Sequence, residues 1–126
     1  MLTVALVFAG LAALLHVYIF WLEALAFDTA GREAFGVRAE DAAVMKPWAF
    51  NQGFYNLFLA IGTGVGIAMA DANRDAAVAL VVLGVGSMLA AAVVLISSDR
   101  TKARGALVQG TFPALALLCL AVWAWA

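Results

Sequence analysis

Cysteine, histidine and charge are all scarce in this chain, and each scarcity excludes something. The one cysteine, Cys119, can form no intrachain disulfide and cannot build a thiolate metal cluster. The one histidine, His16, has no second imidazole beside it, so the usual three-ligand metal site is not expected; a haem with His16 as sole axial ligand has nothing else to support it, and no cofactor is assigned. Charged residues make up only 12% of the chain, against roughly a quarter in ordinary soluble domains, which rules out that class. A net charge of -1 with no basic run excludes a nucleic-acid partner. Gly-rich phosphate loops, nucleophile elbows and zinc-type motifs are also missing.

What fills the chain instead is apolar: 67% of its 126 residues are hydrophobic. A run of about 20 such residues crosses the hydrocarbon core at about 1.5 Å rise per residue, and the sequence divides into four runs of that kind. They cover about 2–27, 48–70, 76–96 and 106–125, which uses the whole chain in one transmembrane domain. The expected fold is therefore an all-α membrane protein, a four-transmembrane-helix antiparallel bundle in the lipid bilayer of the cell inner (plasma) membrane. The first run has no basic residues before it and is too long for a signal-peptide core, so it is expected to be retained.

Positive charge orients the bundle. Arg32, Arg38 and Lys46 lie between the first two runs, Arg100, Lys102 and Arg104 between the last two, and only Arg74 lies in the middle connection. The positive-inside rule then places the first and third connections in the cytoplasm and both termini outside it. The middle connection, 71–75, is a tight reversal, with Asp75 a candidate cap for the third span. Gly31 and Gly36 limit the first connection to a short amphipathic stretch carrying Phe35, Val37 and Val44. Trp48, Trp123 and Trp125 fit an interfacial aromatic belt, and Gly62, Gly64, Gly66, Gly84, Gly86 and Ser87 allow spans two and three to approach closely.

Against this apolar background stand His16, Glu23, Asn51, Gln52, Tyr55, Asn56 and Gln109. Ionisable groups within spans are functional-site candidates by default, because their desolvation is expensive. Counting rise from the cytoplasmic boundary puts Glu23, Gln52 and Gln109 roughly 5 to 6 Å deep, Asn56 about 12 Å and His16 about 16 Å, a column from the mouth toward the midplane. His16 and Glu23 share a helix face to within about 20° but stand roughly 10 Å apart along the axis, so any link comes from another helix, a water or a bound molecule. Tyr55 and Asn56 are at the depth to supply it. Pro113 removes a backbone hydrogen bond near Gln109 and favours a local opening there.

In low dielectric both ionisable groups favour their neutral forms, and a carboxylic acid with a neutral imidazole is a usable acid and base pair. Glu23 and His16 are thus the candidate catalytic groups, with Asn51, Gln52, Tyr55, Asn56 and Gln109 as candidate ligand-binding groups around a small lipophilic molecule. Two further readings compete. The polar residues can be interhelical glue in a structural or accessory subunit, each bond contributing about 0.6 to 2 kcal/mol. Alternatively the chain transports a small solute or proton as a homo-oligomer, a reading opposed by the near absence of polar groups in the outer half.

Several of these residues form a recognisable pattern: His16-x-Tyr18 and Trp21-x-Glu23, Phe35-Gly36, Asn51-Gln52-Gly53-x-Tyr55-Asn56-x-x-Leu59-Ala60 with Gly62, then Val108-Gln109-Gly110 and Pro113. The chain resembles, over nearly its whole length, a family of small bacterial four-helix integral-membrane proteins of unknown function. That resemblance implies an integral inner-membrane protein and carries no catalytic assignment. Gly53 and Gly110, each beside a polar amide, are expected where a neighbouring helix or ligand comes close.

Overall fold

A computed structural model describes all 126 residues, and every regular element in it is helical. Helix α1 spans Leu2–Phe20 and runs on as two π-helical turns, Trp21–Leu25 and Phe27–Gly31. A four-residue α2 (Arg32–Phe35) comes next and stops at Gly36, whose φ of 65° is the left-handed conformation that glycine adopts without steric penalty. Helices α3 (Ala42–Ala68), α4 (Arg74–Ser98) and α5 (Ala103–Trp125) complete the chain, with a 3-10 turn at Arg100–Lys102.

The four long helices pack in a ring. Helix α1 lies against α3 and α5, and α4 lies against the same two, while α1 and α4 are diagonal and meet across the middle only through core side chains. Ala5, Ala9 and Ala12 of α1 pack with Val81, Val85 and Met88 of α4 and with Ala116 and Leu120 of α5 in one dry cluster. The start of α1, the start of α4 and the end of α5 therefore share one end of the molecule, and both chain termini lie there. Three segments, Leu2–Leu25, Arg74–Ser98 and Arg100–Trp125, are long and apolar enough to cross a membrane. This is the build of a membrane protein. Helix α3 is as long, but Lys46, Asn51, Gln52 and Asn56 dilute its apolar character.

Close approach of α3 and α4 depends on two glycines. A Cβ on Gly66 would stand 2.9 Å from the Leu80 side chain and 3.0 Å from the Ala77 carbonyl, and one on Gly84 would stand 2.1 Å from Thr63 Oγ1. Thr63 is fully buried and donates to the Leu59 carbonyl at 2.8 Å, which satisfies its hydroxyl within its own helix. Gly62, Gly64 and Gly86, expected at the same contact, face open space instead. Gly64 and Gly86 lie about half a turn from Gly66 and Gly84, while Gly62 shares Gly66's side of α3 but flanks it away from Thr63, where α4 makes its contact.

Other boundaries also differ from the sequence expectation. The cap of α4 is Asn73, not Asp75: its side-chain oxygen accepts from the Ala76 N–H at 3.1 Å. Asp75 sits in the first turn, where a carboxylate still favours the helix dipole. Helix α3 begins six residues before Trp48, and Pro47 is carried inside it near the start. Val44, placed by the sequence in a loop stretch, is thus in the first turn of α3 and strongly exposed. The first span does not stay α-helical to Phe27: it passes into a π turn at Trp21, and at Ala26 the backbone turns to φ -118°, ψ 22°.

Candidate functional site

At the end of the bundle opposite the termini, α1 meets the start of α3. Gly53 makes that seam close: a Cβ there would stand 3.1 Å from the Ala24 side chain, the Ala24 nitrogen and the Glu23 Cβ. Across the seam Asn56 Nδ2 donates to Glu23 Oε2 at 2.7 Å. The same Nδ2 donates to the Gln52 carbonyl one turn earlier at 3.3 Å, which fixes which end of the amide faces the carboxyl group. Beside the pair, Phe20 and Phe54 meet edge to face with ring centroids 5.2 Å apart. Such an aromatic pair contributes about 0.5–1.5 kcal/mol beyond its buried area.

The π turns hold Glu23 at this position. A π turn inserts an extra residue into a helical turn and rotates the segment before it relative to the segment after it. The fold-back at Ala26 brings Gly31 against Leu22: a Cβ on Gly31 would stand 2.1 Å from the Leu22 carbonyl oxygen. The Gly31 N–H in turn donates to the Ala26 carbonyl at 2.9 Å. Sequence reasoning used Gly31 only as a helix breaker and missed this seat. The signal available was only a glycine eight residues beyond Glu23.

His16 lies deeper on the stripe that also carries Ala5, Ala9 and Ala12, with 2% of its surface exposed. Its Nδ1 is 2.9 Å from the Ala12 carbonyl. A carbonyl only accepts, so Nδ1 carries the hydrogen and Nε2 of the neutral ring presents a lone pair. Nε2 has no protein partner. Every fully buried side-chain nitrogen or oxygen does have one, so Nε2 borders accessible space and is not sealed by carbon. Asn56 links to Glu23 and not to His16, so the expected bridge between the two ionisable groups is half present.

Gln109 sits on the face of α5 that buries Ala106, Pro113 and Ala116, and its half-buried amide makes no hydrogen bond to protein. Its neighbour Gly110 is a contact point, with a Cβ there 3.0 Å from Ala92 of α4. Gly53 and Gly110 thus both stand where a neighbouring helix comes close, as their positions beside amides suggest. Asn51, Gln52 and Tyr55 are exposed, and their side chains bond to no protein group. Tyr55 therefore does not stand between Glu23 and His16: it is turned away from the α1 seam, because Gly53 and Asn56 occupy that face.

Two depressions lie outside this set. One of about 720 Å³ is lined by Asp28, Thr29, Arg32, Glu33 and Val37 in the connection between α1 and α3. The other, about 490 Å³, is an apolar groove along the α1–α3 seam, with Gly10, Ala13, Ala60 and Gly64 among its lining residues. The connection itself is tied down by the Lys46 ammonium on Asp28 and by Lys102 Nζ donating to the Phe35 carbonyl at 2.9 Å.

A family model described as protein of unknown function (DUF1304) matches residues 10–121. Every polar residue of the candidate site falls within that stretch. Neither a curated protein nor a solved structure matches the chain.

Proposed function

We propose that this chain, which belongs to the DUF1304 family, is a multi-pass inner-membrane protein that binds or converts a small lipophilic molecule at the Glu23–His16 end of its bundle. All four long helices cross the bilayer as an antiparallel bundle, α3 included, with both termini outside the cytoplasm, as the positive-inside rule requires. The site then opens toward the cytoplasmic leaflet. Glu23 and His16 serve as acid and base groups, and Asn56, Gln109 and the exposed amides of α3 position the ligand.

One observation carries this reading: Glu23 accepts from Asn56 through one oxygen only, while His16 Nε2 and the Gln109 amide, on bundle-facing stripes of two helices, have no protein partner. Groups that served only as glue would bond to one another, and Gln52, Asn56 and Gln109 do not do so through their side chains. The dry Ala5–Leu120 cluster fills the opposite half, which favours a closed-ended site over a transport path.

The test is mass spectrometry of small molecules retained by the purified protein. Wild type is expected to carry a lipophile that Glu23→Gln loses. Identical retained molecules in both would overturn the reading in favour of a structural or accessory role.

A further inference from the structure

The hydrogen-bonding inventory of the site is lopsided. From it we infer the chemical class of the ligand proposed above: it presents hydroxyl or amine donors, not bare carbonyl or ether oxygens. Asn56 has two N–H groups, and its Nδ2 already faces two acceptors, Glu23 Oε2 at 2.7 Å and the Gln52 carbonyl at 3.3 Å. Its remaining atom, Oδ1, accepts. The orientation is not arbitrary, because turning the amide over would set its oxygen against the Gln52 carbonyl, which has no hydrogen to give. Glu23 has its second oxygen unengaged.

His16 adds to the surplus. With its Nδ1–H committed to the Ala12 carbonyl, the neutral ring offers Nε2 as an acceptor, on a side chain with 2% of its surface exposed. Three acceptors, Asn56 Oδ1, Glu23 Oε1 and His16 Nε2, therefore have no protein donor. Protonating Glu23 supplies one donor and still leaves the other two. Gln109 brings an N–H₂ group, but its own oxygen comes with it, so it does not redress the balance.

Each of these acceptors reaches accessible surface, and one that a lipophile covers without pairing loses its solvation, a penalty that a donor on the ligand removes. A primary alcohol supplies one O–H, and an amine supplies two or three N–H groups and, when charged, an ion pair with Glu23. A ketone, ester or ether brings only further acceptors. Discrimination by a site built for donors is steep, because the analogue that lacks them leaves the site's own groups unpaired.

The experiment uses the purified full-length protein and three probes of one chain length, decanol, decylamine and decanone, with occupancy read by native mass spectrometry. The alcohol and the amine are expected to bind about tenfold or more tightly than the ketone. Glu23→Gln, which places amide N–H donors where the carboxyl group stood, is expected to narrow that gap to about threefold or less. Ketone binding that equals alcohol binding in wild type and still depends on Glu23 would overturn the donor assignment while leaving the site in place. An alcohol preference untouched by Glu23→Gln would overturn it too, by placing the donors elsewhere. If no probe shows Glu23-dependent retention, the proposed site falls along with its ligand class. The ranking on the wild-type protein needs no variant to fold.

Discussion

Removing either half of the Glu23–Asn56 pair leaves the other half in the helix seam without its partner. Asn56→Leu and Glu23→Leu are each expected to destabilise the protein by about 1 kcal/mol, the lower end of the range for a polar group losing its hydrogen bond, because both side chains are half-buried. The double variant should be less damaging than their sum. The coupling energy is expected near 0.6 kcal/mol and below about 1.7, as for interhelical bonds in other membrane proteins. A double-mutant cycle in denaturing detergent measures it, and a coupling of zero would show that the pair does not form. Outside the membrane, Asp99 has the clearest residue-scale pH effect. Hydrogen bonds from the Thr101 hydroxyl and N–H hold its carboxyl below the usual carboxylate range, aided by nearby Lys102. A depressed native value means the ionised form favours the folded turn, so this support is present above the ordinary carboxylate range and lost as pH falls through the native value. Hydrogen exchange at the Thr101 amide should accordingly lose its protection under acid, and Asp99→Ala should remove that pH dependence.

Among the elements, two contacts set the helix arrangement, and each gives a distinct outcome when filled. Gly84→Ala would drive a methyl group onto Thr63 Oγ1, and overpacking of this kind costs about 1–3 kcal/mol. Thr63→Ala in the same chain removes the obstructing oxygen and is expected to restore most of the loss in thermal unfolding, because the remaining Thr63 Cβ distance of 3.3 Å is tolerable. Gly31→Ala is harsher, since the obstacle is the Leu22 backbone carbonyl, which cannot rotate away. It should disrupt the π turns and displace Glu23 from Asn56 while α3, α4 and α5 remain helical. The signature is loss of Glu23-dependent ligand retention with circular dichroism nearly unchanged. Hydropathy and residue counting located these elements, but their period carried no sign of the π turns. A π turn shifts the phase of a helix without altering which residues are apolar, so no pattern in 21–31 announced it.

For the whole molecule, orientation is the testable quantity. In a Cys119→Ala background, Ala72→Cys is expected to react with a membrane-impermeant thiol reagent on intact cells, and Ala39→Cys only after permeabilisation. Replacing Arg100, Lys102 and Arg104 together by alanine should weaken that asymmetry, as it removes half of the positive charge on the first and third connections. The sequence by itself determined that the chain is helical and built for lipid, where its apolar runs lie, and which few side chains are costly enough there to suggest a function. These are local properties, fixed by composition and by rise per residue. Only the tertiary structure decided that Asn56 and not Tyr55 meets Glu23, that Gly66 and Gly84 and not Gly62 form the α3–α4 contact, and that His16 keeps its Nδ1–H on its own helix. Partner choice depends on how each helix is rotated about its axis. That rotation is set by van der Waals fit between helices and by the fold-back at Ala26, neither of which is a property of any one segment.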